Sequence, residues 1–335
     1  MALTGLKEDD LKLVLFGGKG GVGKTTCASS AGFYLASAKN NGGPASIGKE
    51  DFKTLLISTD PAHSLSDSLG QEIGDEIKEV KGIKNLSALE INAAREWAKF
   101  KTQYETQIKK ILETSTYLDG EDIASFLALS IPGVDEVMGF KTIVDLIDES
   151  KFDKYIVDTA PTGHALRLLT LPELLDNWIK VLAKTRWKYR YMVERFAGKY
   201  KPDEGDDFLL NMKKTVKRIE NLLKNQSRCE FIAVTIPEDM AILETERLVK
   251  DLVKYGIRVK QLVVNNVVKS SENCPFCSER RKEQGKYINQ IREKFSNLKT
   301  TIVPLQAREV KGIDALNNFK DLLFSRERDP DVSGH

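Results

Sequence analysis

Near its start the chain carries Gly17-Gly18-Lys19-Gly20-Gly21-Val22-Gly23-Lys24-Thr25-Thr26, a glycine-rich run that decides the fold. The run follows an apolar stretch, residues 11–16, and precedes a helical pattern, residues 27–36. A strand, a glycine-rich loop and a helix in this order match the phosphate-binding loop G-x-x-x-x-G-K-[ST], here from Gly18 to Thr25. The sequence therefore predicts a nucleotide-binding α/β fold.

The residue types in this loop suit a nucleoside triphosphate carried with a magnesium ion. Glycine lets the backbone approach an anion closely, and successive amide N–H groups converge on phosphate oxygens at the start of the helix. Lys24 supplies positive charge for the β- and γ-phosphates, and the Thr25 hydroxyl is a Mg²⁺ ligand. A glycine-rich turn without a ligand is the alternative, which the complete motif and its flanking elements disfavour. The predicted ATP-binding residues of the loop are Gly18, Lys19, Gly20, Gly21, Val22, Gly23, Lys24, Thr25 and Thr26.

Composition disfavours several other classes of protein. Lys and Arg number 51 against 49 Asp and Glu, so the net charge is only +2 and no nucleic-acid partner is expected. The sequence has no stretch of 18 apolar residues that would predict a membrane span, and no signal-peptide pattern. Four cysteines in 335 residues do not indicate a disulfide framework. We expect a cytoplasmic protein.

Short apolar runs alternate with helical patterns along the chain. Val, Ile and Leu dominate these runs, as expected of parallel strands that are buried on both faces. The alternation predicts an α/β fold with a doubly wound, mostly parallel sheet and a ligand at the carboxyl ends of its strands. The predicted strands are residues 11–16, 54–59, 88–92, 155–158, 231–235, 261–267 and 301–303.

Two long segments, residues 95–135 and 176–228, have helical patterns without a predicted strand. We expect them to form an inserted, all-helical client-binding subdomain. The remainder is the P-loop ATPase domain, residues 1–94, 136–175 and 229–327, followed by a disordered tail at 328–335. In the second segment, five side chains near helical spacing make an apolar face: Trp178, Leu182, Tyr189, Met192 and Phe196. Burial in a core is the simpler interpretation of this face, and a surface groove for an apolar partner is the other.

Two aspartates follow predicted strands on the nucleotide side of the sheet. Asp60 comes directly after the strand 54–59, where a carboxylate can orient a water in line with the γ-phosphate. A helix cap or turn residue is the alternative for Asp60. Asp158 ends the strand 155–158, the position of the usual outer-shell partner of Mg²⁺ in a P-loop protein.

Taken together, these segments resemble one known family over nearly the whole chain. The chain is similar to the arsenite-pump ATPases and the guided-entry targeting ATPases, which share a lysine-bearing, deviant Walker A loop; the targeting ATPases deliver tail-anchored membrane proteins. The resemblance is carried by the loop and by Asp60-Pro61-Ala62-His63-Ser64-Leu65-Ser66-Asp67 and Asp158-Thr159-Ala160-Pro161-Thr162-Gly163-His164. Later matches follow in the family's order: Thr235-Ile236-Pro237-Glu238, Glu244-Thr245-Glu246-Arg247, Val264-Asn265-Asn266 and Cys274-Pro275-Phe276-Cys277.

The resemblance implies a homodimeric ATPase and a role for several residues. Lys19 resembles the signature lysine that reaches across the dimer to the partner's nucleotide, and Asp60 the residue that positions the hydrolytic water. Glu238 resembles a residue that contacts nucleotide across the interface, and Asn265 the asparagine that contacts adenine. The candidate catalytic residues are Asp60, Lys19 and Lys24. In the family, ATP draws two subunits together and opens an apolar groove between their helical subdomains.

The pair Cys274 and Cys277 supplies two thiols, whereas a structural zinc site needs four ligands. The sequence has no other Cys or His nearby, and a two-fold dimer would complete a Cys₄ site from two such pairs. The targeting ATPases have this arrangement, and the resemblance favours one Zn²⁺ shared across the dimer. A redox pair and a reduced, metal-free turn are the alternatives.

Two functions within the family fit the chain. The first is a targeting ATPase that captures hydrophobic transmembrane helices of tail-anchored proteins and delivers them to a membrane receptor, with transient membrane association. The alternative is the ATPase subunit that energises arsenite or antimonite efflux through a pump. Soft arsenite needs thiolates, and residues 95–228 contain no cysteine. A third class, electron-transfer ATPases with a bridging iron–sulfur cluster, needs central cysteines that this sequence lacks.

Overall fold

A computed structural model of the chain describes residues 2–37, 51–60, 64–115, 134–159, 176, 179–180, 183–184, 186–196, 198–269 and 274–325. The chain divides into two compact units. The sheet unit comprises Met1–Ile91, Glu149–Leu166 and Leu223–His335, and the helical unit comprises Asn92–Asp148 and Arg167–Leu222. Within the described residues, no helix is long and apolar enough to cross a membrane.

The sheet unit is built on one eight-stranded sheet with the order β3-β4-β2-β5-β1-β6-β7-β8. All neighbouring strands are parallel except β3 and β4, which are antiparallel. This confirms the predicted α/β fold class and its doubly wound sheet. The strands are β1 Leu13–Gly17, β2 Thr54–Ser58, β3 Lys78–Glu79, β4 Leu86–Glu90, β5 Lys154–Asp158, β6 Cys229–Thr235, β7 Val259–Val267 and β8 Lys299–Pro304.

Helices separate the strands in sequence, as the alternating pattern predicts. Five belong to the sheet unit, and α3, α4 and most of α5 belong to the helical unit. The helices with defined bounds are α1 Lys24–Ala36, α2 Ser64–Leu69, α3 Ala93–Ser115, α4 Val134–Asp148, α5 Glu204–Lys224, α6 Asp239–Lys254, α7 Pro275–Lys294 and α8 Ile313–Phe324. Residues 186–196 are also helical.

Helix α1 is buried along most of its length, which fixes the start of the helix next to the glycine-rich loop. Phe33 and Leu35 are fully buried in the main core. The last helix, α8, covers α1: the Ser30 hydroxyl donates to the Leu316 carbonyl at 3.3 Å, and the rings of Tyr34 and Phe324 stack with centroids 3.8 Å apart. Packing on both faces explains why α1 is apolar almost all round.

The helical unit contains α3 and α4 packed side by side. The Thr142 hydroxyl on α4 donates to the Glu96 carboxylate on α3 at 2.9 Å, and Met138 and Phe140 are buried. On α5, Arg218 reaches the Asp145 carboxylate of α4 at 3.2 Å. Residues 134–148 therefore group with the helical unit, whereas the sequence assigned 136–148 to the ATPase domain. The other predicted domain boundaries stay a prediction.

Arg186, at the start of the helical residues 186–196, is the centre of a network of ion pairs and ring contacts. Its side chain is buried, forms an ion pair with Asp203 and a longer one with Asp206 at 3.5 Å, and lies over the rings of Tyr189 and Tyr200 at 5.0 and 5.5 Å. Such a buried guanidinium needs this many partners, because an unpaired buried charge is costly. The network connects residues 186–196 to the start of α5.

Two members of the predicted apolar face are exposed. Met192 and Phe196 are 52% and 83% exposed, so the expectation that this face is buried core is wrong for both. Trp187 and Tyr191, one helical turn apart, are also exposed, with their rings stacked 6.0 Å apart. The helix 186–196 thus exposes two pairs of large apolar side chains, Trp187 with Tyr191 and Met192 with Phe196, each pair one helical turn apart. We call these four residues the aromatic stripe.

Several predicted features lie outside the described residues and are not tested by the structure. They are Trp178 and Leu182 of the predicted apolar face, residues 61–63 and 160–164 of the two aspartate motifs, and the tail 328–335.

Candidate nucleotide-binding site

The glycine-rich loop joins the end of β1 to the start of α1 in a conformation that requires glycine. Gly21 and Gly23 have φ values of 78° and 93°, which residues with a Cβ rarely adopt. A Cβ on Gly18 would lie 2.1 Å from the Val234 carbonyl oxygen, and a Cβ on Gly23 would lie 2.4 Å from Asn265 Nδ2. The loop backbone therefore packs directly against β6 and β7, with its amides free of side-chain bulk.

Lys24 folds back over this loop. Its Nζ donates to the Lys19 carbonyl at 3.1 Å, and the residue is only 6% exposed. Burial lowers the Lys24 pKa, and the nearby carboxylates of Asp158 and Asp60 oppose that shift. The structure thus holds the Lys24 ammonium group inside the loop, where negatively charged phosphate oxygens would offset the cost of its burial.

Asp158 ends β5 next to β1 and lies against the first turn of α1. Its Oδ2 accepts a hydrogen bond from the Thr25 hydroxyl at 2.6 Å and a longer one from Ser64 at 3.5 Å. The other carboxylate oxygen, Oδ1, is buried and has no hydrogen-bond partner among the described residues. Burial raises the Asp158 pKa to about 6, which the Thr25 hydroxyl and Lys24 partly oppose.

An orphaned carboxylate oxygen beside a threonine hydroxyl fits a hard divalent cation. Magnesium is usually held by one or two protein oxygens together with phosphates and waters. That requirement agrees with the described residues, which contain no cluster of three or more His, Cys, Asp or Glu side chains suited to a metal ion. Thr25 and Asp158 are the residues that would hold Mg²⁺ here.

Asp60 lies two residues beyond the end of β2. Its backbone N–H donates to the Ser58 hydroxyl at 3.1 Å, and its carboxylate is close enough to influence the charges of both Lys24 and Asp158. The neighbouring strands β2 and β5 pair with Ser58 opposite Asp158. The structure therefore brings Asp60 together with Lys24, Thr25 and Asp158 at one edge of the sheet, where the sequence predicts the nucleotide.

Asn265 contacts the glycine-rich loop from β7. Its Nδ2 donates to the Val22 carbonyl at 3.0 Å, and the residue is 4% exposed. Its Oδ1 is buried without a hydrogen-bond partner in the described parts of the chain. The structure thus places Asn265 beside the loop, and its contact with adenine stays a prediction.

Lys19 forms an ion pair that sequence reasoning missed. Its Nζ lies 3.5 Å from the Glu244 carboxylate on α6, with the two side chains 36% and 27% exposed. The two residues are more than 200 positions apart in sequence, so no local pattern could pair them. The loop lysine has a partner within its own chain.

Glu238 and the cysteine pair lie at the starts of α6 and α7. Glu238 precedes α6, is about half exposed and meets Arg280 of α7 at 3.4 Å. Cys274 caps α7, and its Sγ accepts the Cys277 N–H at 3.4 Å. Hydrogen bonds from Cys277 lower the Cys274 pKa. The structure brings Glu238 next to the cysteine-bearing helix and the two thiols close together, and their role as half of a zinc site stays a prediction.

Comparison with known proteins identifies the family. The profile of the anion-transporting ATPase family matches residues 11–325. The chain belongs to this family. The resemblance found in the sequence is thereby confirmed, and the lysine-bearing loop, Asp60 and Asp158 all lie within the matched residues.

Relatives within the anion-transporting ATPase family match over nearly their whole length. ATPase ASNA1 homolog 1 of Paramecium tetraurelia is 37% identical over 333 residues, covering 97% of this chain and 96% of the relative. ATPase ASNA1 homolog of Dictyostelium discoideum is 34% identical over 95% of this chain and 91% of its own. ATPase get3 of Schizosaccharomyces japonicus is 32% identical over 95% of this chain and 94% of its own.

Proposed function

We propose that the chain is a magnesium-dependent ATP hydrolase that works as a homodimer. The main support for this proposal is the arrangement around the glycine-rich loop. Lys24 is buried, the Thr25 hydroxyl donates to the Asp158 carboxylate, and the second oxygen of that carboxylate is buried without a hydrogen-bond partner among the described residues. Membership of an ATPase family with relatives named as ATPases supports it. When bound, Mg²⁺ neutralises charge on the β- and γ-phosphates.

Different side chains and loop amides of the protein have different roles in the proposed hydrolysis. Loop amides and Lys24 bind the phosphates, and Thr25 with Asp158 orients the cation site, Asp158 acting in its outer shell. Asp60 orients a water for in-line attack on the γ-phosphate. Lys19 leaves Glu244 and adds its charge to the nucleotide of the partner subunit, a role like that of an arginine finger. Glu238 contacts that nucleotide, and Asn265 the adenine.

The client that fits the helical unit is an apolar helix. The aromatic stripe exposes Trp187 by 65%, Tyr191 by 51%, Met192 by 52% and Phe196 by 83% on a single helix. Large exposed apolar side chains concentrated on one short helix mark a binding site for an apolar partner. We infer that the client is the transmembrane segment of a tail-anchored membrane protein, which a membrane receptor then accepts.

Metalloid efflux is the weaker candidate, because the thiols are poorly placed for it. Soft arsenite or antimonite binds thiolates. Cys27 and Cys229 are both buried, and burial raises both thiol pKa values, that of Cys229 to about 12. Cys274 and Cys277 remain, and we assign these to one Zn²⁺ shared between two subunits, since two pairs complete a tetrahedral Cys₄ site.

Co-expression with a model client tests the proposal. The client is a peptide with one C-terminal transmembrane helix, and the expected result is a soluble complex whose yield depends on ATP. Phe196→Asp should reduce the yield, because it places a charge on the aromatic stripe. Val253→Asp is the matched control, since Val253 is an exposed apolar residue of α6 in the sheet unit.

Two outcomes would contradict the targeting function. The first is the absence of any complex at a protein concentration that hydrolyses ATP. The second is equal loss of yield in the Phe196 and Val253 variants. Stimulation of ATP hydrolysis by arsenite, measured with the same preparation, would instead support the efflux function.

A further inference from the structure

Glu90 is a buried acidic residue outside the nucleotide-binding loop. It ends β4 and is only 4% exposed. Both of its carboxylate oxygens are engaged by Ser66 on α2: Oε1 accepts the Ser66 N–H at 2.8 Å, and Oε2 accepts the Ser66 hydroxyl at 2.9 Å. The Ser66 hydroxyl in turn accepts the Ile73 N–H at 3.1 Å. Glu90 therefore fastens the short helix α2 to the sheet.

The end of β4 also contacts Ser58, the last residue of β2, which lies two residues before Asp60. Ser58 pairs with Glu90 across β2 and β4, and the Ser58 carbonyl accepts the Ile91 N–H at 2.9 Å. The Ser58 hydroxyl accepts the Asp60 N–H at 3.1 Å. Ser58 and Ser66 are thus both hydrogen-bonded to residues at the end of β4, and Asp60 lies between them in sequence.

We propose that Glu90 is a positioning residue for Asp60. It holds α2 at a fixed distance from the end of β2, and so limits where the Asp60 carboxylate can lie when the nucleotide is bound. This inference rests on the proposed function, because it assigns Glu90 to the hydrolytic step. A misplacement of about 1 Å at a reacting group costs about 100-fold in rate, so a small shift of α2 has a measurable effect.

The hydrogen-bond pattern explains why a carboxylate is needed. Ser66 presents two donors to Glu90, its N–H and its O–H, and a carboxylate accepts both. A glutamine would offer one acceptor and one donor. With its oxygen on the Ser66 N–H, the glutamine NH₂ group would face the Ser66 hydroxyl and leave that hydroxyl proton without an acceptor; in the reverse orientation, the NH₂ group would face the Ser66 N–H. Glu90→Gln therefore changes the clamp while leaving its size unchanged.

Steady-state ATP hydrolysis and equilibrium ATP binding of the full chain test the inference. Glu90→Gln should lower kcat by about 10- to 100-fold and leave the Kd for ATP unchanged, since the Glu90 carboxylate holds Ser66 on α2, outside the glycine-rich loop. Ser66→Ala, which removes only the hydroxyl, should lower kcat by less. Glu79→Gln is the control: Glu79 is an exposed acid on the neighbouring strand β3, and turnover should be that of the wild type.

A combined variant separates positioning from general destabilisation. In the Asp60→Asn background, Glu90→Gln should cause no further loss of kcat, because it acts through Asp60. An additional loss there, or unchanged turnover in both Glu90→Gln and Ser66→Ala, would overturn the inference. If Glu90→Gln does not fold, the kcat of Ser66→Ala alone tests the inference. A wild-type chain that binds ATP without hydrolysing it would contradict the proposed function itself, and wild-type hydrolysis with unaffected variants contradicts only the role of Glu90.

Discussion

The Lys19 ammonium lies 3.5 Å from the Glu244 carboxylate of the same chain. Both side chains are partly exposed, and pairs of this kind contribute about 0.2–1 kcal/mol. In the proposed dimer, Lys19 must leave Glu244 before it can reach the nucleotide of the second subunit. The small energy of the Lys19–Glu244 pair makes this change of partner easy. Glu244 therefore competes with any other anion for the loop lysine.

Removal of this competitor should favour the assembled state. In Glu244→Gln, the ion pair is lost and Lys19 is free to contact a nucleotide, so we expect half-maximal hydrolysis at an up to about thirtyfold lower protein concentration, since each of the two sites of a dimer gains up to about 1 kcal/mol. The measurement is specific activity against protein concentration at saturating ATP. A higher concentration requirement would show that Glu244 supports the active state.

Lys19 itself should be needed for turnover. Lys19→Ala should lower kcat by roughly 10³-fold or more, the size of effect that a charge supplied to the γ-phosphate has in related chemistry. The fold should survive, because Lys19 is partly exposed and its pair is weak. Circular dichroism and ATP hydrolysis check both points. Lys286→Ala, an exposed lysine on α7, is the control, and near-normal turnover of Lys19→Ala would exclude the dimer-coupled mechanism.

Asp60→Asn should separate nucleotide binding from hydrolysis. The amide keeps the shape of the side chain but cannot orient and polarise a water as a carboxylate does, so kcat should fall by about 10²–10⁴-fold. ATP affinity should stay close to that of the wild type, measured by isothermal titration. Loss of binding would instead assign Asp60 a structural role in the turn after β2.

Asp158 should make the nucleotide-free protein sensitive to pH. Its pKa is raised to about 6, so between pH 4 and 6 this carboxyl binds more protons in the folded state than in the unfolded state, and its contribution to stability falls as pH rises through that window. At pH 7 the buried charge costs up to about 3 kcal/mol. Asp158→Asn should raise stability in urea at pH 7 and flatten the profile between pH 4 and 6, while hydrolysis is lost.

The exposed Asp10 supplies the control for that measurement, since Asp10→Asn should leave the profile unchanged. Addition of Mg²⁺ and ATP to the wild type at pH 7 should also stabilise the fold, because a cation beside Asp158 favours its charged form. An Asp158→Asn profile identical to that of the wild type would contradict the assignment.

The cysteine pair should carry one zinc for every two chains. Cys274→Ser should remove the metal and lower the fraction of dimer, because it takes two of the four thiolates from the shared site. Elemental analysis combined with light scattering measures both. Cys229→Ala is the control, since burial raises that thiol's pKa to about 12 and removes it as a ligand. A metal-free dimer that is insensitive to chelators would contradict the zinc assignment.

The sequence predicted the parallel strands well because most are short runs rich in Val, Ile and Leu. The strand that holds the loop, for example, is observed at Leu13–Gly17 against a predicted 11–16. Strand β3 was missed, since its two residues, Lys78 and Glu79, are charged, exposed and paired only at an edge. Helix α7 begins at Pro275, directly after Cys274, whose side chain caps it.

The contacts that connect distant segments were beyond sequence reasoning. Met192 and Phe196 follow the same spacing whether a helix face is buried or exposed, so their exposure could not be predicted. The Glu90 clamp depends on the register between β2 and β4, which places Ser58 opposite Glu90. Residue type and spacing identify the groups that do chemistry, but the side chains that hold them in place are set by packing.

The position of β1 has a consequence for the order in which the protein matures. β1 is bonded to β5 on one side and to β6 on the other, and the loop after it rests on Val234 and Asn265. During synthesis, β1 therefore leaves the ribosome before either neighbouring strand exists, and more than two hundred further residues must follow before β6 can pair with it. ATP consequently cannot help the early chain to fold, since the glycine-rich loop that binds it is packed in place only after β6 and β7 have been synthesised.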